Sequence, residues 1–369
     1  MCTRKHIRWS GLAALPVLAG VASSQTSYEI IDLTERAASL GVLQAEARGI
    51  NEAGQVVGFE VVSSFVERSI LWGADGVRLL PSLPGDNSNM AVAIGSNGTV
   101  LGTSETVTLV PCGQLLKIFE DQKGVLWKGA SVTRVSELLS PNQEQSVRPD
   151  LPFELRWTWD QSDVGEIVGW GRAKLGPPFT AVGYLLSGSK LTNLGVLDHP
   201  IAINNQGQIA GYASAGQDKA YLWEAGVLTN LHGHPSITGV TSRAWGIDDS
   251  DRVVGEAQWH ISKPEEPTLW VGGVPQRLVP EFNRPQGVAR AINGVGQVVG
   301  WYNDLDNLSS NFEGFIWENG VRTELATLIP PSAGWTVLYP FDINDGGQIV
   351  GGGIRNGQLG HAFLMNPLP

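Results

Sequence analysis

The chain has 369 residues, of which 46 are glycine, 42% are apolar and 17% are charged. This balance excludes an intrinsically disordered chain, because such chains have few apolar and many charged residues. The formal net charge of −11 argues against nucleic acid or an anionic membrane surface as the partner, since both attract basic proteins.

The N-terminus has the pattern of a secretory signal peptide. Arg4, Lys5 and Arg8 precede a short apolar run from Leu12 to Ala22, and small residues follow it. We expect cleavage after Ser24, so that residues 1–24 are removed and residues 25–369 form one exported domain, either periplasmic or extracellular. The apolar run is too short to span a membrane, and no second candidate span follows. Retention of this segment as an uncut anchor is the alternative.

One motif then occurs seven times at a period of about 44 residues, which is typical of a propeller. Its first column, here called the Asn column, contains Asn51, Gly95, Ser162, Asn204, Asp248, Asn293 and Asn344. Three residues later comes a turn residue: Gly54, Gly98, Gly165, Gly207, Asp251, Gly296 or Gly347. An invariant glycine closes each copy: Gly58, Gly102, Gly169, Gly211, Gly255, Gly300 and Gly351.

Each copy contains four short pieces that are rich in β-branched and aromatic residues and bounded by Gly, Asn or Asp. Such pieces predict antiparallel strands, with the Asn side chain capping a turn and the glycine adopting a positive φ. The sequence therefore predicts an all-β, seven-bladed β-propeller. Small residues flank the Asn column, so the first strand of each blade is expected to be innermost and the fourth outermost.

The last copy ends without a fourth strand, whereas Tyr28 to Leu33 is a strand-like piece without a blade of its own. We therefore expect the N-terminal strand to pair as the outermost strand of the last blade and close the ring. The second copy is longer than the others, and its insertion from Ser140 to Leu155 has the composition of a surface loop.

The repeats resemble the bacterial extracellular HAF-repeat family, whose units read I-N-x-x-G-Q-V-V-G followed by H-A-F-L-W. The last copy has the triplet intact at His361, Ala362 and Phe363, whereas the other copies have degenerate forms. The resemblance covers nearly the whole mature chain. It implies a secreted, β-propeller-like protein, and it supplies no catalytic residue because the family has no established activity.

Tryptophans raise the possibility of sugar binding, since aromatic faces stack on sugar rings. Most of them recur at the repeat period and are therefore predicted to be core: Trp72, Trp127, Trp170, Trp223, Trp270, Trp301 and Trp317. Trp157, Trp259 and Trp335 fall outside these columns and are candidate ligand-binding residues.

Two columns of the innermost strand supply further candidates. Three residues before the Asn column stand Arg48, Val92, Trp159, Ile201, Trp245, Arg290 and Phe341. The next column is small apart from two acids: Gly49, Ala93, Asp160, Ala202, Gly246, Ala291 and Asp342. Because successive residues of a strand point to opposite faces, we expect Asp342 to form an inter-blade ion pair with Arg48 or Arg290. A ligand role for Trp159, Trp245, Arg48 and Arg290 is the alternative.

Asp160 is different, because the first-column residues of its neighbouring blades are apolar. An unpaired buried carboxylate is costly or stays protonated, so Asp160 must either reach water at the channel or serve chemistry. It is the candidate catalytic residue. The histidines are scattered and no cysteine pair, H-E-x-x-H or nucleophile-elbow motif is present, so we expect neither metal nor cofactor.

The leading functional hypothesis is a secreted, non-catalytic binding or scaffold protein, monomeric, with a glycan or an extracellular protein as its partner. The absence of a catalytic motif and the seven sets of loops that a propeller presents favour this hypothesis. The alternative is a carbohydrate-active hydrolase or lyase that uses acids at the mouth of the axial channel.

Overall fold

The computed structural model describes residues 26–63, 65–112, 115–140, 143, 153–173, 181–214, 216–279, 285–304 and 312–369. At 109–112, 115–120, 173, 285 and 304 only the backbone is described. The expected signal peptide and most of the 140–155 insertion lie outside these ranges. Among the described residues there is no helix with the length and apolar character that a membrane span requires.

The described residues contain seven antiparallel sheets of four strands each, which confirms the predicted seven-bladed propeller. After β1 (Tyr28–Asp32) and a one-turn helix α1 (Leu33–Arg36), the strands of blades 1 to 4 follow in chain order from the axis outward. They are β2 (Ala45–Ile50), β3 (Val56–Ser63), β4 (Val66–Gly73), β5 (Gly76–Leu79); β6 (Ser88–Ile94), β7 (Val100–Cys112), β8 (Leu115–Lys128), β9 (Ser131–Arg134); β10 (Phe153–Gln161), β11 (Ile167–Ala173), β12 (Ala181–Ser187), β13 (Lys190–Asn193); β14 (His199–Ile203), β15 (Ile209–Ala213), β16 (Lys219–Glu224) and β17 (Val227–Asn230).

Blades 5 and 6 repeat the pattern, and blade 7 has three strands of its own. They are β18 (Ser242–Ile247), β19 (Arg252–Ala257), β20 (Glu266–Val271), β21 (Val274–Arg277); β22 (Pro285–Ile292), β23 (Val298–Asp304), β24 (Glu313–Glu318), β25 (Val321–Glu324); β26 (Trp335–Ile343), β27 (Ile349–Arg355) and β28 (Gln358–Pro367). Short 3₁₀ turns lie at Ala38–Leu40, Val135–Leu138, Leu325–Thr327 and Pro331–Ala333.

Strand β1 closes the ring as predicted, because it pairs antiparallel with β28 and becomes the fourth strand of blade 7. The HAF triplet takes part in this closure. His361 Nδ1 lies 2.7 Å from Asp32 Oδ2 at the end of β1, and the Ala362 amide donates to Thr34 Oγ1 at 2.8 Å. The Phe363 side chain is fully buried in the core of blade 7.

The Asn column joins neighbouring blades as well as capping its own turn. Asn204 Oδ1 accepts the amide of Gln208, four residues later, at 2.9 Å, and Asn204 Nδ2 donates to the carbonyl of Asp248 in the next blade at 3.0 Å. Blades 1, 6 and 7 repeat this inter-blade bond, and the bond from Asn344 to the Asn51 carbonyl joins blade 7 to blade 1. The glycine three residues on has a positive φ, as predicted.

Blade 5 achieves the same link with different residues. Asp248 has no side-chain amide to donate, and the residue four positions later is arginine instead of glutamine. Arg252 binds the Asp248 carboxylate through Nε at 2.6 Å and donates to the Gly294 carbonyl of blade 6 at 3.1 Å. In blade 5 the donor to the next blade is therefore Arg252 instead of the Asn-column residue, and the hydrogen bond between the blades is present as in blade 4.

Every innermost strand contains a β-bulge opposite the invariant glycine. In each blade the register shifts across the residue three positions before the Asn column. A Cβ at the invariant glycine would overlap a backbone carbonyl oxygen of the innermost strand, as Gly58 shows against Glu46 and Gly351 against Tyr339. The glycine column is therefore required by the close approach of the bulged strand.

The core lies between blades, where the face of one sheet packs on the next. Ile70 and Trp72 of blade 1, for example, share a buried cluster with Val350 and Leu364 of blade 7. Of the third-strand tryptophans, Trp72, Trp127 and Trp270 are buried as predicted. Trp223 and Trp317 pack against the core and are only partly buried.

Candidate functional site

A chamber of about 750 Å³ occupies one end of the axial channel. We call it the chamber and the opposite opening, at the Asn-column turns, the turn mouth. The chamber is lined by the innermost strands and by a few residues of neighbouring segments, among them Trp301, Phe312, Glu256 and Glu265. Its size is that of a small-molecule binding site, and apolar walls with a few polar groups are typical of such sites.

The bulges determine which side chains reach the chamber. Regular alternation would turn neighbouring residues of a strand to opposite faces, but the extra residue of a bulge interrupts that alternation. Members of both candidate columns therefore line the chamber, for example Trp159 with Asp160, Arg290 with Ala291, and Phe341 with Asp342. Sequence reasoning placed the two columns on opposite faces, and that expectation is wrong for this strand.

Aromatic rings form much of the chamber wall. Trp157 and Trp159 stack at a centroid distance of 5.5 Å with an interplanar angle of 18°, and both are half-buried. Across the chamber, Trp301 contacts Phe341 edge-on at 5.5 Å. Trp301 follows an invariant glycine and was expected to be core, so its position in the chamber wall corrects that prediction. These rings offer apolar faces against which a sugar ring can pack.

Three arginines from three different blades project into the chamber, and their partners differ. Arg48 pairs with Glu46 at 2.6 Å and lies 4.1 Å from the centre of the Phe341 ring. Arg243 is held by Asp218 and Glu256 at 2.6 and 2.7 Å. Arg290 lies over the Trp245 ring at 4.4 Å. Within the described part of the chain, Arg290 forms no ion pair and no hydrogen bond.

The expected ion pair of Asp342 with Arg48 or Arg290 is not formed within the described residues. Instead the Asp342 carboxylate accepts two backbone amides at 2.9 Å, from Ile343 next to it and from Ile50 in blade 1. Asp160 repeats this arrangement in blade 3. It accepts the amides of Gln161 at 2.8 Å and of Ile203 in blade 4 at 3.0 Å. For Asp342, backbone donors thus take the place of the predicted arginine, and for Asp160 they supply partners where the side-chain columns offered only apolar neighbours.

Both acids line the channel, and Asp160 lies where the chamber meets the turn mouth. Burial raises the pKa of Asp160 to about 7, although the two amide donors oppose the shift, and the charge of Asp342 adds to it. Burial likewise raises the pKa of Asp342 to about 6, against two amide donors and the positive charge of Arg290. Each carboxyl can therefore exchange a proton near neutral pH, a property common in catalytic acids and bases.

The turn mouth is acidic and polar. Glu52, Asp163, Asp249 and Asp345 stand exposed around it, one residue after the Asn column. Asn205 bridges two of these acids, donating 3.0 Å bonds to Asp163 and Asp249. Within the described ranges, no three His, Cys, Asp or Glu side chains are grouped in a way that could hold a metal ion.

The structure brings most of the predicted site residues together. Trp157, Trp159, Trp245, Arg48, Arg290 and Asp160 all line the chamber. Trp259 and Trp335 do not: each is at most 9% exposed and packs in the core between two neighbouring blades. Trp259 donates to Thr268 at 2.9 Å, and Trp335 packs edge-on against Phe363 at 5.7 Å. Falling outside a repeat column was therefore not a reliable signal of ligand binding.

Sequence reasoning missed several chamber residues. Glu265 and Phe312 come from connecting segments outside the repeat columns. Glu256 directly follows the invariant Gly255, in a column whose other members are mostly aromatic. The sequence contains one pattern that could have pointed to Trp301 and Tyr212 as residues in or beside the chamber, because aromatic residues recur directly after the invariant glycine. The Tyr212 ring packs between His199, at 4.7 Å, and the chamber residue Trp245, at 5.9 Å.

No protein-family model matches the chain, and neither does any curated protein sequence. Among solved structures the chain is similar to an oligogalacturonate lyase in complex with manganese, with a TM-score of 0.57, 12% identity and coverage of 94% of both chains. It is more distantly similar to TolB from Acinetobacter baumannii, with a TM-score of 0.41, 12% identity and coverage of 86% of this chain and 81% of TolB. A lectin from Aleuria aurantia matches with a TM-score of 0.38, 12% identity and coverage of 76% of this chain and 93% of the lectin. At 12% identity, the similarity to the lyase shows a common fold.

Proposed function

We propose that this protein is an exported, non-catalytic carbohydrate-binding propeller whose ligand binds in the chamber. The observation that carries the proposal is the grouping of tryptophan rings and arginine side chains around one cavity of about 750 Å³. Saccharides are bound by such combinations, because the apolar face of a sugar packs on an aromatic ring while hydroxyl groups accept hydrogen bonds from polar side chains.

The geometry supports binding at the chamber more than at the turn mouth. Trp157 and Trp159 present a stacked pair of half-buried rings to the chamber, whereas the turn mouth offers exposed carboxylates and amides that already bind one another. The export signal and the HAF-repeat resemblance, both read from the sequence, agree with an extracellular or periplasmic glycan as the partner.

The experiment that tests this proposal is a glycan array followed by calorimetric titration of the best ligand. We expect Trp159→Ala to weaken binding about tenfold or more, since stacking one sugar ring on an indole contributes on the order of 1–2 kcal/mol. Trp223→Ala is the matched control, because Trp223 is also half-buried but lies on the third strand of blade 4, packs against the core between blades 3 and 4, and does not line the chamber. Equal losses in both variants, or a protein that binds no glycan, would contradict the proposal.

A second candidate function is a carbohydrate-active hydrolase or lyase, favoured by one specific observation. Asp160 and Asp342 both face the channel, and burial raises the pKa of each toward neutrality. A polysaccharide-degradation screen with the wild type, Asp160→Asn and Asp342→Asn separates the two functions. Turnover that one of these variants abolishes would establish the enzyme and overturn the non-catalytic proposal.

A further inference from the structure

Within the described part of the chain, Arg290 is the chamber arginine that has no carboxylate in contact with it. Its guanidinium lies 4.4 Å from the centre of the Trp245 ring, with no ion pair or hydrogen bond within the described residues. Arg48 and Arg243, by contrast, have carboxylate partners at 2.6 and 2.7 Å. A cation–π contact uses no acceptor, so the N–H groups of Arg290 remain available to a ligand.

The charged groups that face Arg290 leave its N–H donors available to a ligand. Burial and the nearby positive charge of Arg48 lower the pKa of Arg290 to about 10, while Glu256 and Asp342 attract it through space. Glu256 is bound by Arg243, and Asp342 by two backbone amides. The guanidinium is thus charged at neutral pH, poorly solvated and unpaired, a state that an anionic ligand would stabilise.

We propose that the chamber ligand is an acidic saccharide whose carboxylate binds Arg290 while its sugar rings contact the tryptophans. This inference rests on the proposed carbohydrate-binding function. An arginine edge presents paired N–H donors that match the two oxygens of a carboxylate. A singly charged group fits better than a phosphate monoester dianion, because Asp160, Asp342 and Glu256 also line the chamber and would repel the larger charge.

The acidic turn mouth determines the direction from which such a ligand enters. Glu52, Asp163, Asp249 and Asp345 surround that opening, so a uronate approaching it meets four exposed carboxylates. At the opposite end the anion meets Arg48, Arg243 and Arg290 together with the aromatic wall, and the carboxyl groups there are in part already bound: Glu256 by Arg243, and Asp342 by two backbone amides. The ligand therefore enters from the chamber side.

The test measures calorimetric affinity for oligosaccharides of galacturonate, glucuronate and mannuronate. Each is compared with its own methyl ester, which keeps the ring and removes the charge, and neutral and sulfated oligosaccharides complete the panel. We expect at least one acid form to bind about tenfold or more tightly than its ester, since hydrogen bonds to charged groups contribute about 1.5–3 kcal/mol. Arg290→Gln should bring the acid-to-ester ratio close to one, and Arg290→Lys should retain part of it.

Arg78→Gln is the matched control, because it removes the same charge from an exposed position on the outer strand of blade 1. It should leave the ratio unchanged. If Arg290→Gln does not fold, the Arg290→Lys ratio and the wild-type comparison of acid with ester still decide the question. Binding of neutral or sulfated glycans alone would overturn this inference and leave the carbohydrate-binding function standing. Binding of no glycan at all would overturn both.

Discussion

The two ends of the channel are built from the same seven repeats, but the repeats contribute similar residues at one end and different residues at the other. At the turn mouth most blades use one arrangement: an Asn-column amide joins blades 1, 4, 6 and 7 to the next blade by the same bond, and Arg252 makes the link in blade 5. The column residues of blades 2 and 3 are Gly95 and Ser162. At the chamber the blades differ. The bulge residue is arginine in blades 1 and 6, aromatic in blades 3, 5 and 7, and aliphatic in blades 2 and 4.

The comparison separates structural positions from functional ones. Each bond at the turn mouth satisfies a buried polar group and fixes one blade on the next, so a change there is expected to reduce stability. The bulge side chains point into the chamber and make no contact that all seven blades need. The identity of these side chains differs between blades, and we assign two of them, Trp159 and Arg290, to ligand binding. Asp160, the residue after the bulge in blade 3, is the candidate for proton exchange.

The largest expected effect comes from opening the ring. Deletion of residues 25–40 removes β1, which pairs with β28 over five residues, and removes Asp32, which binds Arg355 at 2.9 Å and His361 at 2.7 Å. The edge of blade 7 would then be unpaired. We expect the loss of cooperative folding at physiological temperature, measured by circular dichroism on heating. A chain that begins at residue 26 and keeps β1 is the control, and normal melting of the deletion would show that closure is dispensable.

A smaller loss is expected from one turn-mouth asparagine. Asn204→Ala removes the cap on the Gln206 and Gln208 amides and the bond to the Asp248 carbonyl, all at a residue only 4% exposed. Leaving such groups unsatisfied should reduce the free energy of unfolding by about 2–4 kcal/mol, as measured by denaturant titration. Gln217→Ala, at an exposed position of blade 4, should change it by less than about 0.5 kcal/mol. Similar values for both variants would contradict the structural role of the turn mouth.

The smallest effect concerns the pH dependence of stability. The pKa of Asp160 is about 7 in the folded protein, above the value of about 4 in an unfolded chain, so the folded state binds this proton more tightly. The free energy of unfolding should therefore fall as the pH rises from about 4 to 7, with a slope of at most about 1.4 kcal/mol per pH unit. Asp342 and Asp163 face Asp160 and favour its protonated form, whereas two backbone amides oppose it.

Asp160→Asn should flatten this dependence by about 2–3 kcal/mol between pH 5 and 8, as measured by denaturant titration at each pH. Asp75→Asn, in the exposed hairpin of blade 1, should leave the wild-type slope intact. A slope that Asp160→Asn does not alter would mean that Asp160 is ionised throughout this range, and it would remove the main support for a proton-exchanging acid in the channel.

The sequence alone predicted the architecture because the relevant signals are local and repeated. An Asn cap followed by a positive-φ glycine specifies a turn wherever it occurs, and seven copies imply seven blades. The missing fourth strand of the last copy and the spare strand at Tyr28 predicted the closure of the ring, since an open edge is unfavourable. Small residues beside the Asn column likewise identified the innermost strand.

The tertiary structure decided which side chains share the chamber and what each one binds. A bulge in every innermost strand turns both candidate columns toward the axis, and its only trace in the sequence is the glycine opposite it. The amide of Ile50, almost three hundred positions away along the chain, accounts for the absence of the predicted Asp342 ion pair. This hydrogen bond depends on how the seventh blade packs against the first, and a local pattern of residues does not predict which backbone amide will lie beside Asp342.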